Sequence, residues 1–90
     1  MNKADLINSI VNNTNLTKSE CEKVINSALE IIKQTTKSGE DITLVGFGTF
    51  TQIKKKARSG RNPLNGKIIQ IPETNSPKFR PAKHFKELIN

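Results

Sequence analysis

Apolar residues in the first forty positions recur at helical spacing. Leu6, Ile7, Ile10 and Val11 follow an i, i+1, i+4, i+5 pattern, which gathers them on one face of a helix. Asn2 is placed to cap its start, with Asp5 at the third helical position near the positive end of the dipole. The turn-rich run Asn12 to Asn15 ends it at about Asn13. Thr17-Lys18-Ser19-Glu20 then fits a capping box. Behind it Cys21, Val24, Ile25, Ala28, Leu29, Ile31 and Ile32 form a wide apolar stripe, the pattern of a buried helix of about five turns. Gly39 is placed to end that helix, and the short turn between the two predicts an antiparallel pair.

From Ile42 the pattern changes. Ile42-Thr43-Leu44-Val45 and Thr49-Phe50-Thr51-Gln52-Ile53 are β-rich runs separated by Gly46-Phe47-Gly48, which predicts a hairpin. The second strand continues into a lysine-loaded arm, Lys54 to Arg58, and Ile68, Ile69 and Ile71 begin the return. Pro72 and Pro77 are expected to break or bend it at edge positions. Lys78-Phe79-Arg80 alternates as a short strand does. After Pro81, Ala82 to Ile89 reads as a terminal helix with Phe85, Leu88 and Ile89 on one side. Between the arm's strands, Arg58 to Lys67 has Leu64 as its only large aliphatic residue, so it has little apolar surface to offset the entropy of packing into a core. It is expected to project as the tip of a long hairpin.

Charge sharpens this picture. The 90 residues carry a formal net charge of +7, unevenly distributed. Residues 1–53 hold five lysines against six acids, a net of −1, while residues 54–90 hold ten Lys or Arg against Glu73 and Glu87, a net of +8. Like charges crowded on one surface repel, so such a block points to an anionic partner. A nucleic acid fits better than a membrane, because no amphipathic helix carries these charges. Outside the hairpin only about 60 residues remain for a core, a size that usually needs disulfides, metal or self-association. One Cys and one His leave self-association. The unpaired Cys suits a reducing compartment, and Met1 to Asn15 lacks the apolar run of a signal peptide or membrane span; a cytoplasmic protein is expected.

The ribbon's chemistry has two readings on residues alone. Cations at 54, 55, 56, 58, 61 and 67 alternate between faces, and a two-stranded ribbon is narrow enough to follow a DNA groove; equally, lysines solubilise a hairpin and protect its edges. At the tip, Pro63 is rigid and apolar and can wedge between base steps while Arg61 and Asn62 reach minor-groove acceptors. Alternatively Pro63 sets φ for a turn to which Asn65-Gly66 supplies a positive φ.

Asn2-Lys3 opening two helices, Gly46-Phe47-Gly48-Thr49-Phe50, Gly60-Arg61-Asn62-Pro63 with Gly66-Lys67, Ile71-Pro72 and Pro77-Lys78-Phe79 together resemble the bacterial histone-like HU proteins and their relative, integration host factor. The resemblance spans the chain in order. It implies an α+β fold: a two-helix N-terminal hairpin, a three-stranded antiparallel sheet with a long protruding β-ribbon arm, and a short C-terminal helix, in an intertwined dimer. Residues 1–39 would be the helical dimerisation part, 40–82 the sheet with its arm at about 53–73, and 83–90 the last helix. The resemblance further implies that two arms wrap duplex DNA in the minor groove and bend it. Pro63 would be the intercalating wedge, Arg61 and Asn62 its groove contacts, and Lys54, Lys55, Lys56, Arg58, Asn65 and Lys67 arm contacts. Lys3, Arg80, Lys83 and Lys86 would meet phosphates on the flanks. Phe47, Phe50 and Phe79 match dimer-core aromatics. Ile53 departs from the pattern, standing where an arm-base arginine is common, with Lys54 as its substitute.

Other motifs carry less. Gly46-Phe47-Gly48 lacks the third glycine of a dinucleotide loop, since Thr51 occupies that place. Cys21 reads as a core thiol and His84 as a surface residue. Glu40 and Asp41 have no His or second carboxylate pair near in sequence, so neither a catalytic nor a metal site is expected, and no cofactor. Asn12-Asn13-Thr14 matches a glycosylation acceptor, which has no consequence without secretion. The expected protein is thus a nucleoid-associated binder of double-stranded DNA, favouring bent, nicked or flexible duplex, and acting as a homodimer or as a heterodimer with a paralogue. Three rivals stand beside it: a site-specific bender of the integration host factor type, an RNA-binding module, and a dimerisation domain with a merely soluble arm. RNA is the weaker choice because the four Phe all fall in segments expected to be buried, leaving no stacking platform.

Overall fold

The computed structural model describes the whole chain, Met1–Asn90, which divides into two compact units, Met1–Gln34 and Thr35–Asn90. In the first, α1 (Lys3–Asn13) starts at a capping box. The Asp5 amide donates to Asn2 Oδ1 at 2.9 Å, and the Asn2 amide donates to Asp5 Oδ2 at 3.1 Å. α1 ends where Thr14 Oγ1 donates back to the Ile10 carbonyl at 2.8 Å, satisfying an acceptor the helix itself leaves open. α2 (Lys18–Lys37) repeats the device: the Glu20 amide donates to Thr17 Oγ1 at 3.1 Å and the Thr17 amide to Glu20 Oε1 at 3.2 Å. Ile7 and Cys21 form the buried centre of this unit.

The second unit contains β1 (Ile42–Leu44), β2 (Gly48–Lys55), β3 (Arg58–Arg61), β4 (Ile68–Ile71), β5 (Thr74–Pro81) and α3 (Lys83–Ile89). β1, β2 and β5 make an antiparallel sheet in that order, and β3 pairs with β4 in a separate two-stranded ribbon. An aromatic cluster fixes the sheet. Phe50 and Phe79 are direct cross-strand partners with ring centroids 4.9 Å apart, and Phe47 lies 5.1 Å from Phe79 and 5.3 Å from Phe85. These separations lie within the range of favourable offset and tilted ring pairs. Gly48 is required beneath this cluster, because a Cβ there would lie 2.6 Å from both the Arg80 carbonyl and the Phe79 ring. Within the second unit, the Gln52 side-chain amide donates to the Thr36 and Lys37 carbonyls at 3.2 Å each, which are among the acceptors a helix C-terminus leaves free.

Several expectations from the sequence need correcting. The α2 stripe is not buried throughout: Val24 is 61% and Ile31 59% exposed, because so wide a band exceeds what one short neighbouring helix covers. Nor is any of the four Phe fully buried: Phe50, Phe79 and Phe85 are half-buried and Phe47 is 44% exposed. Pro77 does not break its strand. It sits inside β5 opposite Gln52, tolerated because β5 is an edge strand and needs no donor on its outer side. Pro72 does interrupt the ladder, separating β4 from β5.

Candidate nucleic-acid interface

The ribbon is one hairpin in a single register. Lys55 pairs with Thr74 and Arg58 with Ile71, so the register of the sheet carries unchanged across a gap of two residues on each strand, Lys56-Ala57 against Pro72-Glu73. Pro72 has no amide to give to a ladder there. Around this joint Lys55, Lys56 and Arg58 line a concavity with Ile71, Pro72 and Thr74, which concentrates three cations at one place.

The tip is built by its own hydrogen bonds. The Asn62 amide donates to the Lys67 carbonyl and the Gly66 amide to the Asn62 carbonyl, both at 2.8 Å. Asn62 Oδ1 accepts the Leu64 amide, and Asn65 Oδ1 accepts the Lys67 amide, both at 2.9 Å. Gly66 has φ of 70°, a left-handed turn position that a side chain disfavours. Asn62 and Asn65 are therefore turn-formers first. The carbonyl oxygen of each side chain is engaged inside the loop, leaving its NH₂ for an outside acceptor. Pro63 and Leu64 stand exposed between them.

Side chains directly opposed in an antiparallel pair share a face. In the ribbon, Ser59, Arg61, Ile68 and Gln70 share one face, while Arg58, Gly60, Ile69 and Ile71 share the other. In the sheet, Thr49, Thr51, Ile53 and Lys55 with their partners Arg80, Lys78, Ser76 and Thr74 occupy one face, polar and cationic apart from Ile53, where Thr43 and Thr49 hydroxyls meet at 3.2 Å and Thr51 donates to Asp41 at 2.6 Å. Lys78 thus joins Arg80 and Lys55. Sequence reasoning missed it, although its place two residues before Arg80 in a strand was the available signal.

The other candidate cations are dispersed. Lys3 is exposed on α1, and Lys83 and Lys86 are exposed on α3, where Lys83 approaches Glu87 at 3.9 Å. Lys54 is the exception among arm cations, because its ammonium is paired with Glu73 at 2.9 Å. Any phosphate it meets competes with that carboxylate. Phe47, Phe50 and Phe79 come together as one cluster, and His84 is exposed. No helix is long and apolar enough to cross a membrane.

Three helices, a three-stranded sheet and a cationic ribbon closed by a proline-bearing turn define an α+β protein of the β-arm type. All of residues 1–90 match the model of the bacterial DNA-binding protein family, and the chain belongs to that family. Within it the similarity is to HU. The chain is 41% identical to DNA-binding protein HU-1 of Halalkalibacterium halodurans over 90 residues, covering 100% of both. It is also 41% identical to DNA-binding protein HU of Clostridium pasteurianum, covering 100% of this chain and 99% of that one. Among solved structures, the Anabaena HU–DNA cocrystal structure superposes with a TM-score of 0.92 at 39% identity, over 99% of this chain and 97% of that chain.

Proposed function

We propose that this chain is an HU-type architectural protein that binds duplex DNA in the minor groove with little sequence preference, bends it, and organises the nucleoid in the cytoplasm. The observation that carries this reading is the cationic ribbon ending in Pro63, on a chain whose fold matches an HU solved with DNA. Lys55, Lys56, Arg58 and Lys67 neutralise phosphates along the arm. Arg61 and the side-chain NH₂ groups of Asn62 and Asn65 reach groove acceptors, and Pro63 enters a base step. Unstacking costs a few kcal/mol per step, offset as the bent duplex comes to lie on Lys3, Lys78, Arg80, Lys83 and Lys86. The protein acts by binding and deforming DNA, not by catalysis.

The same reading includes a homodimer, with residues 1–39 as its main dimerisation part, 40–82 as sheet and arm, and 83–90 as the closing helix. It is supported by how little one chain buries. Only Ile7 and Cys21 are buried hydrophobic residues, while Val45 is 99% exposed and Leu6, Leu29, Leu44 and Phe47 are also exposed. A domain with that core has too little apolar burial to offset its ordering entropy alone.

A gel-shift series with linear, nicked and cruciform DNA across salt tests the proposal. Tighter binding to nicked and cruciform DNA is expected, with log affinity falling by ~0.9 per phosphate neutralised for each unit of log salt. Affinity indifferent to salt, or RNA competing as well as duplex, overturns it. Pro63→Ala should reduce bending in an energy-transfer assay more than it reduces affinity, whereas Arg61→Ala should lower both. Equal bending by Pro63→Ala and wild type removes the wedge from the mechanism.

A further inference from the structure

Leu64 is 94% exposed, and neither the fold nor the turn explains its presence there. The turn uses only its backbone, through the amide held by Asn62 Oδ1 at 2.9 Å. Any residue other than proline supplies that amide equally well. The neighbouring amides of Asn62, Gly66 and Lys67 are likewise bonded within the loop, and Pro63 has none. Among the loop's amides only that of Asn65 has no acceptor within it, so two adjacent apolar side chains, Pro63 and Leu64, meet a partner on a backbone with a single free donor. Arg61 and Lys67 stand on either side of the loop, so cations flank an apolar pair. An isolated apolar tip would favour an apolar partner; this arrangement of cations around it favours a polyanion with an apolar interior reachable through a gap, which describes an opened base step in duplex DNA.

We infer that Leu64 is a second apolar element of the DNA wedge, entering the opened base step with Pro63, and that it tunes the protein toward duplex already interrupted by a nick or gap. This rests on the proposed minor-groove binding and adds a residue to it. A nicked or gapped step is partly unstacked beforehand, so a two-residue wedge gains its apolar burial without the full opening cost. Leucine burial is insensitive to salt, unlike phosphate contact, which separates its contribution from that of its neighbours. The preformed tip also limits the ordering cost of insertion.

The test uses the full-length protein and a 30-base-pair duplex, intact or with a central two-nucleotide gap, carrying 2-aminopurine beside the gap. Leu64→Ala is expected to lower affinity for the gapped duplex by roughly tenfold with an unchanged salt slope. It should also remove much of the gain in 2-aminopurine fluorescence that reports unstacking, while Leu64→Met retains both. Leu64→Lys distinguishes insertion from surface attraction: it should steepen the salt slope without restoring fluorescence. Equal gapped-duplex affinity and fluorescence for wild type and Leu64→Ala overturn the inference while leaving minor-groove binding in place. Absence of any wild-type duplex binding overturns the parent reading instead. Circular dichroism of each variant checks that the fold is kept, as an exposed loop substitution predicts.

Discussion

Replacing Gly48 by Ala tests the packing that holds the sheet from which the arm springs. Gly48 is buried and lies in β2 opposite Pro81, and a Cβ built there meets the Arg80 carbonyl, Phe79 Cε1 and Phe79 Cζ, each at 2.6 Å. Carbon atoms pack best at about 3.5–4.0 Å, so one side must yield by about 1 Å. The Arg80 carbonyl belongs to β5 and is fixed by the ladder that pairs Thr49 with Arg80. Phe79 is fixed by Phe47, Phe50 and Phe85. Forcing a methyl into such a site costs about 1–3 kcal/mol, and moving Phe79 weakens aromatic pairs worth about 0.5–1.5 kcal/mol each. The smaller backbone entropy of alanine in the unfolded chain returns only about 0.4–1 kcal/mol. The net loss is about 2–4 kcal/mol, a large part of the roughly 5–13 kcal/mol that a domain of this length commands. At about 4–8 °C per kcal/mol, the melting temperature should fall by at least about 8 °C. Thermal melts followed by circular dichroism at one fixed protomer concentration measure this, since association alters apparent stability. A mutant melting within about 3 °C of wild type would refute the argument that Gly48 is held by contact.

Glu73→Gln releases Lys54 from its 2.9 Å ion pair. The fold should hardly notice, since exposed pairs contribute about 0–1 kcal/mol. Duplex affinity should rise severalfold at low salt and converge with wild type at high salt; identical titrations at every salt concentration would place Lys54 outside the interface. Thr36→Val replaces the one buried side-chain oxygen without a hydrogen-bond partner by a methyl of similar shape. It should stabilise by about 1 kcal/mol, and a lower melting temperature would show that the hydroxyl has an unrecognised partner.

Local signals were the most legible. The Asn2 cap, the Thr17–Glu20 capping box and the Asn65-Gly66 turn act over two to four positions, and their hydrogen bonds appear where the sequence places them; that Asp5 reciprocates to complete a second box at α1 is a finding of the structure. The existence of both hairpins was also accessible, from β-rich runs on either side of glycine-containing turns, while their register came only with the structure. Non-local features were not. Lys54 and Glu73 become neighbours only once the register is set, and nothing in either residue's surroundings in sequence announces the pair. The partial exposure of Val24 and Ile31 was hidden because hydrophobicity records a preference for burial and says nothing of whether a neighbour is present. Pro77 does lie on an edge strand, as expected, but whether a proline there ends the strand depends on which side of the sheet it borders, a property of topology. Lys78, by contrast, could have been placed on the face of Arg80 from their two-residue spacing in one strand, and the pairing of Thr51 with Lys78 sets it there.

The two-residue lapse in the ladder, where Lys56-Ala57 faces Pro72-Glu73, leaves the outer ribbon and the sheet joined by two covalent strands without cross-strand amides between them. Bending energy at such a place is low compared with that of the paired segments on either side. Under the DNA-binding reading proposed above, the angle of approach is then set by the duplex being gripped, and the same arm accommodates gently curved and sharply folded duplexes, its reach fixed by ribbon length.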